Sequence, residues 1–407
     1  MIPKILKWGI YLIVFCLPLY LVRFEVFGIP TTVLELMIYA LFTVWLVKGL
    51  NFSELKKTIK ENRLLFWAIF LIFLGASLAT IRSWDLRLSA GIWKAWFFDP
   101  ILFFVVLVST IKSSREIRNV FYAFALSGFV ISIVSLIYLF LGELNPDGRL
   151  QGFYNSPNYL AMYLAPIFVV VSGFLVQIIH TKTRVGAAAI FRLRLAFLIL
   201  CSLFLILVLF FTKSFGAWMG IVGAIGLGLI TWFLRAKKKK IAIILAILLV
   251  VLCIGLYFLK FSSIQGRLSV NSRLEIWQRA IDAVIMYPLI GIGPGTFRDF
   301  FPSHPVWGVP QPHNLYLAFL LQTGIIGFIG FVLLLFWFFK TGVKQFAAHN
   351  SQFTTHYLLL VALMIYILIH GLVDTTYWKN DLAAMFWAII GIMVVIKSSN
   401  FKSISNN

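Results

Sequence analysis

Apolar runs of about twenty residues recur from one end of this chain to the other, and they constrain its fold more than any other feature. The run over residues 241–259, IAIILAILLVVLCIGLYFL, holds no charged residue, and a bilayer core requires about 20 apolar residues per helix. Hydrophobic residues make up 61% of the chain and charged residues 12%, too few to cover the surface of a soluble protein. The sequence therefore predicts a polytopic membrane protein and excludes soluble enzymes, disordered proteins and secreted disulfide scaffolds.

The apolar runs are continuous blocks, whereas the strands of a membrane β-barrel alternate apolar and polar residues. We therefore predict an all-α fold with about twelve transmembrane helices. The first run is interpreted as a retained helix, because no small-residue cleavage site follows it. The predicted spans are 8–22, 32–48, 64–81, 91–109, 117–141, 158–179, 193–212, 215–234, 241–259, 314–339, 355–372 and 381–397.

The spans and their loops divide the chain into four regions. Residues 1–141 are predicted to form N-terminal transmembrane helices, and residues 142–259 central ones with an exterior loop around Arg149. Residues 260–313 form one large exterior loop that contains helices. Residues 314–407 form the C-terminal transmembrane helices and a short tail.

The net charge of +21 is distributed unevenly over the predicted loops. Loops on the side of the N-terminus hold 23 basic residues and three glutamates, while the rest of the chain is nearly balanced at +1. Basic residues mark the cytoplasmic side of a membrane protein, so both termini are predicted to be cytoplasmic. The tract RAKKKK at 235–240 is expected to contact anionic lipids of the cytoplasmic leaflet. Nucleic acid is not expected as a partner, because no aromatic residues are interleaved with this tract.

The candidate site residues lie in the exterior loops, which the topology brings to one side of the membrane. In the large loop, the stretch NSRLEIWQRAIDAVIMYP predicts an amphipathic helix that carries Arg273 and is capped by Asn271 or Ser272. Its apolar stripe is predicted to be Leu274, Trp277, Ile281, Val284 and Ile285. The same loop leads to His313 and Asn314 at the entrance of the next span. The other exterior loops contribute Arg149, Asn158, Tyr159, Lys213 and Asp374.

Motifs that hold a metal or a cofactor are missing from these loops. The exterior loops contain no DxD or ExD pair, and the chain has no HxH, HExxH, Walker-type or GxSxG motif. We therefore expect neither a metal ion nor a cofactor. Exterior cations without a metal suit the binding of a phosphate or diphosphate, either as a leaving group or as a lipid head group.

The stretches that carry these residues resemble the O-antigen ligase and polymerase superfamily of bacterial envelope glycan enzymes. The resemblance runs in the family's order from about residue 148 to residue 392, whereas the N-terminal third matches only in its hydrophobicity. The matching stretches are GRLQGFYNSPNYLA, TKSFGAWMG, NSRLEIWQRAIDAVIMYPLIGIGPGTF, PHNLYLAFLLQTGIIG and HGLVDTTYWKNDLAAMFWAIIGI.

The resemblance implies a metal-independent, inverting glycosyltransferase of the bacterial inner membrane. Such an enzyme transfers a glycan from an undecaprenyl-diphosphate carrier to an acceptor hydroxyl on a lipid or surface glycan, on the periplasmic face. A polysaccharide polymerase and a protein O-oligosaccharyltransferase share these motifs and remain alternatives. A carrier or flippase for anionic lipids or solutes is an alternative of another class. A carrier would place ionisable residues near the middle of the bilayer, where Asp99 is the main candidate.

The resemblance also implies roles for individual residues. The family's essential arginine and histidine of the large loop correspond to Arg273 and His313, the expected catalytic residues. The arginine of its Arg-Leu-x-Gly stretch corresponds to Arg149. The family commonly has an arginine where this chain has Phe215, and Lys213 is the candidate to replace that charge. The expected ligands of the donor diphosphate are thus Arg273, Arg149 and Lys213.

Each of these residues also has a purely structural interpretation. Arg273 can simply cover the flank of a helix in a solvated loop. His313 can simply cap the start of the next span. His313 can act as a base or only orient the acceptor, and the sequence does not separate these roles. Arg149 fits a loop charge paired with Asp147, and Asp374 fits a partner of an arginine. For the other supporting candidates, helix capping or packing competes with sugar binding; these are Asn314, Asn158 and Tyr159.

Overall fold

The computed structural model describes residues 1–49, 52–180, 188–235, 237–262, 264–300, 309–347 and 351–404. Residues 301–308 of the predicted large loop, and the basic residues of 181–187, lie outside the described residues. The described part is mostly helical. Its α-helices are α1 (Ile2–Phe15), α2 (Val33–Lys48), α3 (Phe52–Glu61), α4 (Arg63–Arg82), α5 (Leu86–Trp93), α6 (Asp99–Thr110), α7 (Ser114–Phe140), α8 (Pro157–His180), α9 (Ala188–Thr212), α10 (Phe215–Arg235), α11 (Lys239–Ser262), α12 (Ile264–Met286), α13 (Leu315–Ala347), α14 (Ser351–His370) and α15 (Asn380–Ile404).

Seven helical segments of the described residues are long and apolar enough to cross a membrane. Two shorter apolar helices, Phe215–Thr231 and His356–His370, accompany them. The predicted all-α, polytopic membrane fold is confirmed at this level. Helices occupy all twelve predicted positions, but the number of about twelve spans stays a prediction. The seven segments are Arg63–Arg82, Leu86–Thr110, Ser114–Phe140, Pro157–Ile178, Phe191–Thr212, Leu315–Lys344 and Asn380–Ser398.

Capping side chains fix the starts of two helices. Thr32 accepts a hydrogen bond from the backbone N–H of Glu35, whose carboxylate accepts one from the N–H of Thr32. Ser113 and Glu116 form the same reciprocal pair at the start of α7. The first N–H groups of a helix have no partner inside the helix. These residues therefore set where α2 and α7 begin.

A short hairpin that the all-α prediction does not include follows the first helix. Strand β1 (Arg23–Val26) pairs antiparallel with β2 (Ile29–Thr32). Phe27 and Gly28 form the two-residue turn with φ angles of 52° and 77°, a conformation that matches the twist of paired strands. The predicted span 8–22 is therefore only partly α-helical, since α1 ends at Phe15 and a 3-10 turn follows.

The helix of the large loop is longer than predicted and buries a different face. Helix α12 includes Asn271 and Ser272 in its interior, so the predicted cap is wrong. The predicted stripe is also wrong at Leu274, Ile281 and Ile285, which are exposed. Small side chains allow the opposite face to pack closely on the loop that follows, and this buried set is Ile276, Ala280, Ala283, Ile292, Phe297 and Leu321.

The loop after α12 packs into a break in α13. At Gly324 the backbone leaves the helical conformation, with φ 64° and ψ −175°. The N–H of Ile325 donates to the carbonyl of Pro288 at 3.0 Å, and the N–H of Ile292 donates to the carbonyl of Leu321 at 2.9 Å. A Cβ at Gly324 would lie 2.2 Å from the carbonyl oxygen of Leu289. The stretch GIGPG is thus a turn, as its composition predicts, and it is held against the helix that begins at the site.

Helices α4 and α13 approach each other closely because glycines face each other at their contact. A Cβ built on Gly75 would lie 2.4 Å from the backbone nitrogen of Gly327 and 2.7 Å from the carbonyl oxygen of Thr323. Small residues at such contacts are typical of membrane helix pairs, which associate through van der Waals packing. The atoms that face Gly75 belong to the backbone of α13 and cannot move aside as a side chain can, so the contact leaves no room for a Cβ at this position.

We expect Gly75→Ala to destabilise the protein, because the added methyl meets backbone atoms of α13. Overpacking of this kind costs about 1–3 kcal/mol. Gly91→Ala is the matched control, since a Cβ at Gly91 meets no atom within 4 Å. Thermal unfolding in detergent, followed by tryptophan fluorescence, measures both variants. Equal melting temperatures for Gly75→Ala and the wild type would contradict the close contact.

Candidate functional site

The candidate site forms where four segments meet at one end of the helices. These segments are α12, the loop before α8, the turn between α9 and α10, and the loop 371–379 between α14 and α15. The first turn of α13 lies among them and is tied to loop 371–379. The N–H of Leu315 donates to the carbonyl of Gly371 at 2.7 Å, and the Asn314 amide donates to the carbonyl of Leu372 at 3.0 Å.

His313 and Asp374 form a hydrogen-bonded pair at this junction. Nδ1 of His313 lies 3.1 Å from Oδ1 of Asp374. The imidazole is 28% exposed and the carboxylate 2% exposed, so only the imidazole faces the site. His313 has a φ of 47°, and its carbonyl accepts a hydrogen bond from the indole N–H of Trp277. The prediction that Asp374 pairs with an arginine is therefore wrong, because its side-chain partner is His313.

Asp374 is an ionised group in a buried position. Burial alone would raise its pKa, but the hydrogen bond from His313 and the charges of His313, His370 and Arg273 together bring the pKa below its usual range. A lowered carboxyl pKa contributes stability above the unfolded-state value of about 3.9, and this stability is lost only as the pH falls through the folded-state value. Asp374 is thus a permanent negative charge behind His313 at neutral pH.

Arg273 is held beside this pair by neutral groups. Its Nε donates to the carbonyl of Val373 at 3.1 Å, and one amino group donates to Ser269 Oγ at 2.5 Å. The second amino group makes no hydrogen bond to a residue of the described ranges. Carbonyl and hydroxyl partners orient the guanidinium without neutralising its charge. Arg273 therefore remains available for an anion, rather than covering a helix flank in solvent.

Arg149 and Lys213 lie together on the other side of the site. Arg149 donates from Nε to the carbonyl of Thr212 at 2.7 Å and from an amino group to Asn158 Oδ1 at 2.6 Å. Lys213, with a φ of 47°, donates to the carbonyl of Gly148 at 3.4 Å. The turn before α10 thus places Lys213 next to Arg149, although the family arginine position is Phe215.

Arg149 lies close enough to Arg273 for the charge of Arg273 to affect its pKa. Burial lowers the pKa of Arg149, and the nearby charge of Arg273 lowers it further, while Asp147 and Asp374 raise it. An arginine stays protonated even so. The ion pair with Asp147, at 3.6 Å, involves a carboxylate that is largely exposed, and such pairs contribute little. The charge of Arg273 thus acts on Arg149, as expected for two ligands of one anion.

A buried lysine that was not predicted as a site residue lies behind the site. The ammonium of Lys379 lies 4.5 Å from the ring centre of Tyr159, 4.7 Å from that of Tyr154 and 5.0 Å from that of Tyr20. Its carboxylate partner is Asp381 at 3.5 Å. Burial lowers the pKa of Lys379, and Asp381 opposes this effect. Tyr159 therefore belongs to a cation–π cluster, and only the charges in the stretch WKND hinted at it.

The N-terminal third of the chain supports the loop 371–379 through Asn380. The Asn380 amide donates to Glu35 at 3.2 Å and accepts from the indole N–H of Trp96 at 3.0 Å. Lys94 pairs with the same Glu35 carboxylate at 2.8 Å. Lys94 and Trp96 lie in a π-helical turn, Lys94–Phe98, which interrupts the span. Such turns are frequently found at functional sites.

Among the described residues, no group of three or more His, Cys, Asp or Glu side chains is arranged to hold a metal ion. The site instead brings Arg273 and Arg149 near the His313–Asp374 pair, with Lys213 beside Arg149. Cations beside a hydrogen-bonded imidazole are chemically suited to binding an anion. The structure places the residues that the sequence singled out at one end of the helices.

Asn314 has a double role that a pair of variants separates. Its Oδ1 accepts from the N–H groups of Tyr316 and Leu317, at 3.0 and 2.9 Å, which caps α13. Asn314→Ala removes the cap and the bond to Leu372, so we expect it to reduce the free energy of unfolding by about 1–2 kcal/mol. Asn314→Asp retains the cap, and we expect an intermediate loss. Melting temperatures in detergent test this order, and two variants as stable as the wild type would refute it.

One comparison with known proteins gave a match, which covers about a third of the chain. A protein-family model described as O-antigen ligase matches residues 197–332. The matched segment contains Lys213, Arg273, His313 and Asn314, whereas Arg149 and Asp374 lie outside it. No curated protein shows a significant match to the chain. The family match supports the O-antigen ligase superfamily and confirms the resemblance that the motifs predict.

Proposed function

Because residues 197–332 match the O-antigen ligase family, we propose that this chain is a membrane glycosyltransferase of the O-antigen ligase type. It transfers a glycan from an undecaprenyl-diphosphate carrier to a hydroxyl of a lipid or surface glycan acceptor. The reaction takes place on the periplasmic face of the bacterial inner membrane, with both termini in the cytoplasm. The observation that carries the proposal is the hydrogen-bonded His313–Asp374 pair with Arg273 and Arg149 nearby. The positive charge of Arg273 acts on both Asp374 and Arg149.

In this proposal the cations hold the donor diphosphate. Arg273 and Arg149 each keep their charge, since most of their hydrogen-bond partners are carbonyl, hydroxyl or amide oxygens. Guanidinium groups form paired hydrogen bonds with phosphate oxygens. Lys213 adds a third charge next to Arg149. Positive charge that is fixed in advance stabilises the negative charge that develops on the leaving diphosphate.

His313 acts as the base for the acceptor. If Nδ1 carries the proton that is shared with Asp374, then Nε2 carries a lone pair, and a partly exposed ring presents it to the site. The acceptor oxygen forms a bond to the anomeric carbon while its proton passes to Nε2. The bond between the anomeric carbon and the phosphate oxygen breaks, and the diphosphate leaves with both electrons. The attack from the face opposite the leaving group inverts the anomeric centre.

The remaining residues have supporting roles in this scheme. Asn158 orients Arg149 through the 2.6 Å hydrogen bond, and Asn314 caps α13 so that His313 precedes the first turn. Tyr159 packs on Lys379. Asp374 fixes the ring orientation of His313 and stabilises the imidazolium that forms, as an acid partner does in other catalytic triads.

A polysaccharide polymerase and a protein O-oligosaccharyltransferase use the same donor chemistry, and they differ from a ligase only in the acceptor. A carrier is less well supported, because the site cations lie at the ends of helices and in loops. Purified protein in proteoliposomes, given a polyprenyl-diphosphate glycan and candidate acceptors without divalent metal, distinguishes these functions. Transfer to a lipid, a glycan or a peptide identifies the enzyme type. Solute movement without any transfer would refute the glycosyltransferase.

Two substitutions remove the proposed chemistry. We expect His313→Ala to reduce the transfer rate by about 10²–10⁴-fold, because proton removal by a positioned base contributes that much. We expect Arg273→Ala to reduce it by about 10²–10³-fold, as the loss of one charge-stabilising group does. Single-turnover assays with bound donor measure both rates.

The matched control for Arg273→Ala is Arg279→Ala on the same helix. Arg279 lies six positions later and pairs with Asp282 at 3.4 Å, so its loss leaves the site charges intact. We expect nearly wild-type transfer from this variant. All variants must retain the wild-type melting profile. A folded His313→Ala or Arg273→Ala protein with wild-type transfer would show that the site is wrong.

The pH dependence of transfer tests the pairing of His313 with Asp374. The lowered pKa of Asp374 keeps this carboxylate ionised well below neutral pH, so its negative charge lies beside His313 throughout the neutral range. Asp374→Asn removes a negative charge that favours the imidazolium. We therefore expect the acid limb of the pH–rate profile to move to lower pH, with a reduced maximal rate. An acid limb that does not move would contradict the pairing.

A further inference from the structure

A cavity of about 300 Å³ lies at the opposite end of the helices from the candidate site. Helices α2, α3, α4, α6 and α15 surround it. This volume is at the lower end of the range for ligand pockets and exceeds the voids of a packed protein interior. Its lining includes Lys48, Asn62, Phe104, Val105, Lys112 and Val394.

The cavity is lined by one half of each candidate membrane span that contributes to it. Its lining comes from the end of α2, the start of α4 and the second half of the span Leu86–Thr110, all of which lie on the side of the N-terminus. Ile101 and Ser109 are eight residues apart on α6, or about 12 Å along the helix axis. One leaflet of the hydrocarbon core is about 15 Å thick. The cavity therefore spans most of the depth of one leaflet and ends far from His313.

The chemistry of the lining changes along this depth. The deep walls are apolar and include Phe104, Val105 and Val394. The charged residues at the cavity are both lysines, Lys48 and Lys112, which lie at the ends of α2 and α6 and are exposed. No lining residue is acidic. An apolar cavity does not hold water well. An acyl chain matches the apolar deep walls, and an anionic head group matches the two lysines.

The mouth of the cavity carries further positive charge. Lys397 donates to Asn62 Oδ1 at 2.8 Å and to the carbonyl of Glu61 at 2.7 Å. Helix α3 places Thr58 and Ile59 against the cavity and has lysines on its exposed side. A short amphipathic helix with lysines on its polar face is typical of a segment that lies on an anionic membrane surface.

We propose that this cavity binds one acyl chain of an anionic glycerophospholipid of the leaflet on the N-terminal side. The chain fills the space beside Val105 and Val108, and the phosphate lies between Lys48 and Lys112. Lysines near a membrane surface favour anionic lipids. The cavity faces the leaflet opposite the proposed catalytic site, so its occupant is a resident lipid rather than the polyprenyl donor. The site does not depend on the proposed transferase activity.

Native mass spectrometry tests this binding. The protein is taken from nanodiscs that contain equal amounts of phosphatidylglycerol and phosphatidylethanolamine, and the lipids that stay bound are counted. We expect the wild type to retain one phosphatidylglycerol in preference to phosphatidylethanolamine. In the double variant Lys48→Gln/Lys112→Gln, the preference should fall by about fivefold per lysine. The control Lys56→Gln/Lys60→Gln changes the same charge on α3 at residues that do not line the cavity, and it should keep the preference.

A second variant tests the cavity itself and does not alter any charge. Val105→Phe fills part of the space, and we expect the bound lipid to be lost while the protein stays folded. Added phosphatidylglycerol should raise the melting temperature of the wild type but not that of Val105→Phe. Equal retention of both lipids by the wild type, or an equal loss in the α3 control, would overturn the proposal. Displacement of the lipid by stoichiometric undecaprenyl phosphate would also overturn it, because the cavity would then be a site for the carrier.

Discussion

The docking of the first turn of α13 onto loop 371–379 is the contact on which the site depends. Leu315 and Asn314 bind the carbonyls of Gly371 and Leu372, and His313 then meets Asp374. Helix ends in a membrane protein cannot leave their polar groups without partners. The cap and the loop satisfy these groups, and the same hydrogen bonds orient the imidazole of His313. A loop shift of about 1 Å would therefore disturb both the helix start and the proposed base.

The site cations are held mainly by neutral partners. Arg273 is oriented by the carbonyl of Val373 and the hydroxyl of Ser269, Arg149 by the carbonyl of Thr212 and the amide of Asn158. Carboxylate partners would neutralise these charges, whereas oxygen dipoles orient them and leave them for a ligand. Most of the net charge of +21 lies in loops on the side of the N-terminus. The charge that matters for the proposed reaction is instead a few cations whose hydrogen-bond partners are mostly neutral.

The sequence predicted which side chains come together better than it predicted their hydrogen-bond partners. Arg273 and His313 lie beside loop 371–379, and Arg149 lies next to Lys213, because loops at one end of a helical bundle share one face. The partner of Asp374 was not predictable, since loop 371–379 is positioned by contacts with distant residues such as Asn380 and Glu35. The buried face of α12 was also missed. Hydrophobicity favoured Leu274 and Ile281, but the fit of small alanines against the following loop decides which face is covered.

The sequence by itself determined the membrane-embedded helical fold, the separation of positive charge and the set of candidate residues. Continuous apolar runs leave the backbone no alternative to helices in a bilayer, and charge sidedness follows from topology. Only the tertiary structure decided that His313 pairs with Asp374, that Lys379 lies in a cluster of tyrosines and that an apolar cavity opens beside Lys48 and Lys112. These features depend on distances between residues far apart in the chain, which arise from close packing such as that of Gly75 on Gly327 and not from local sequence.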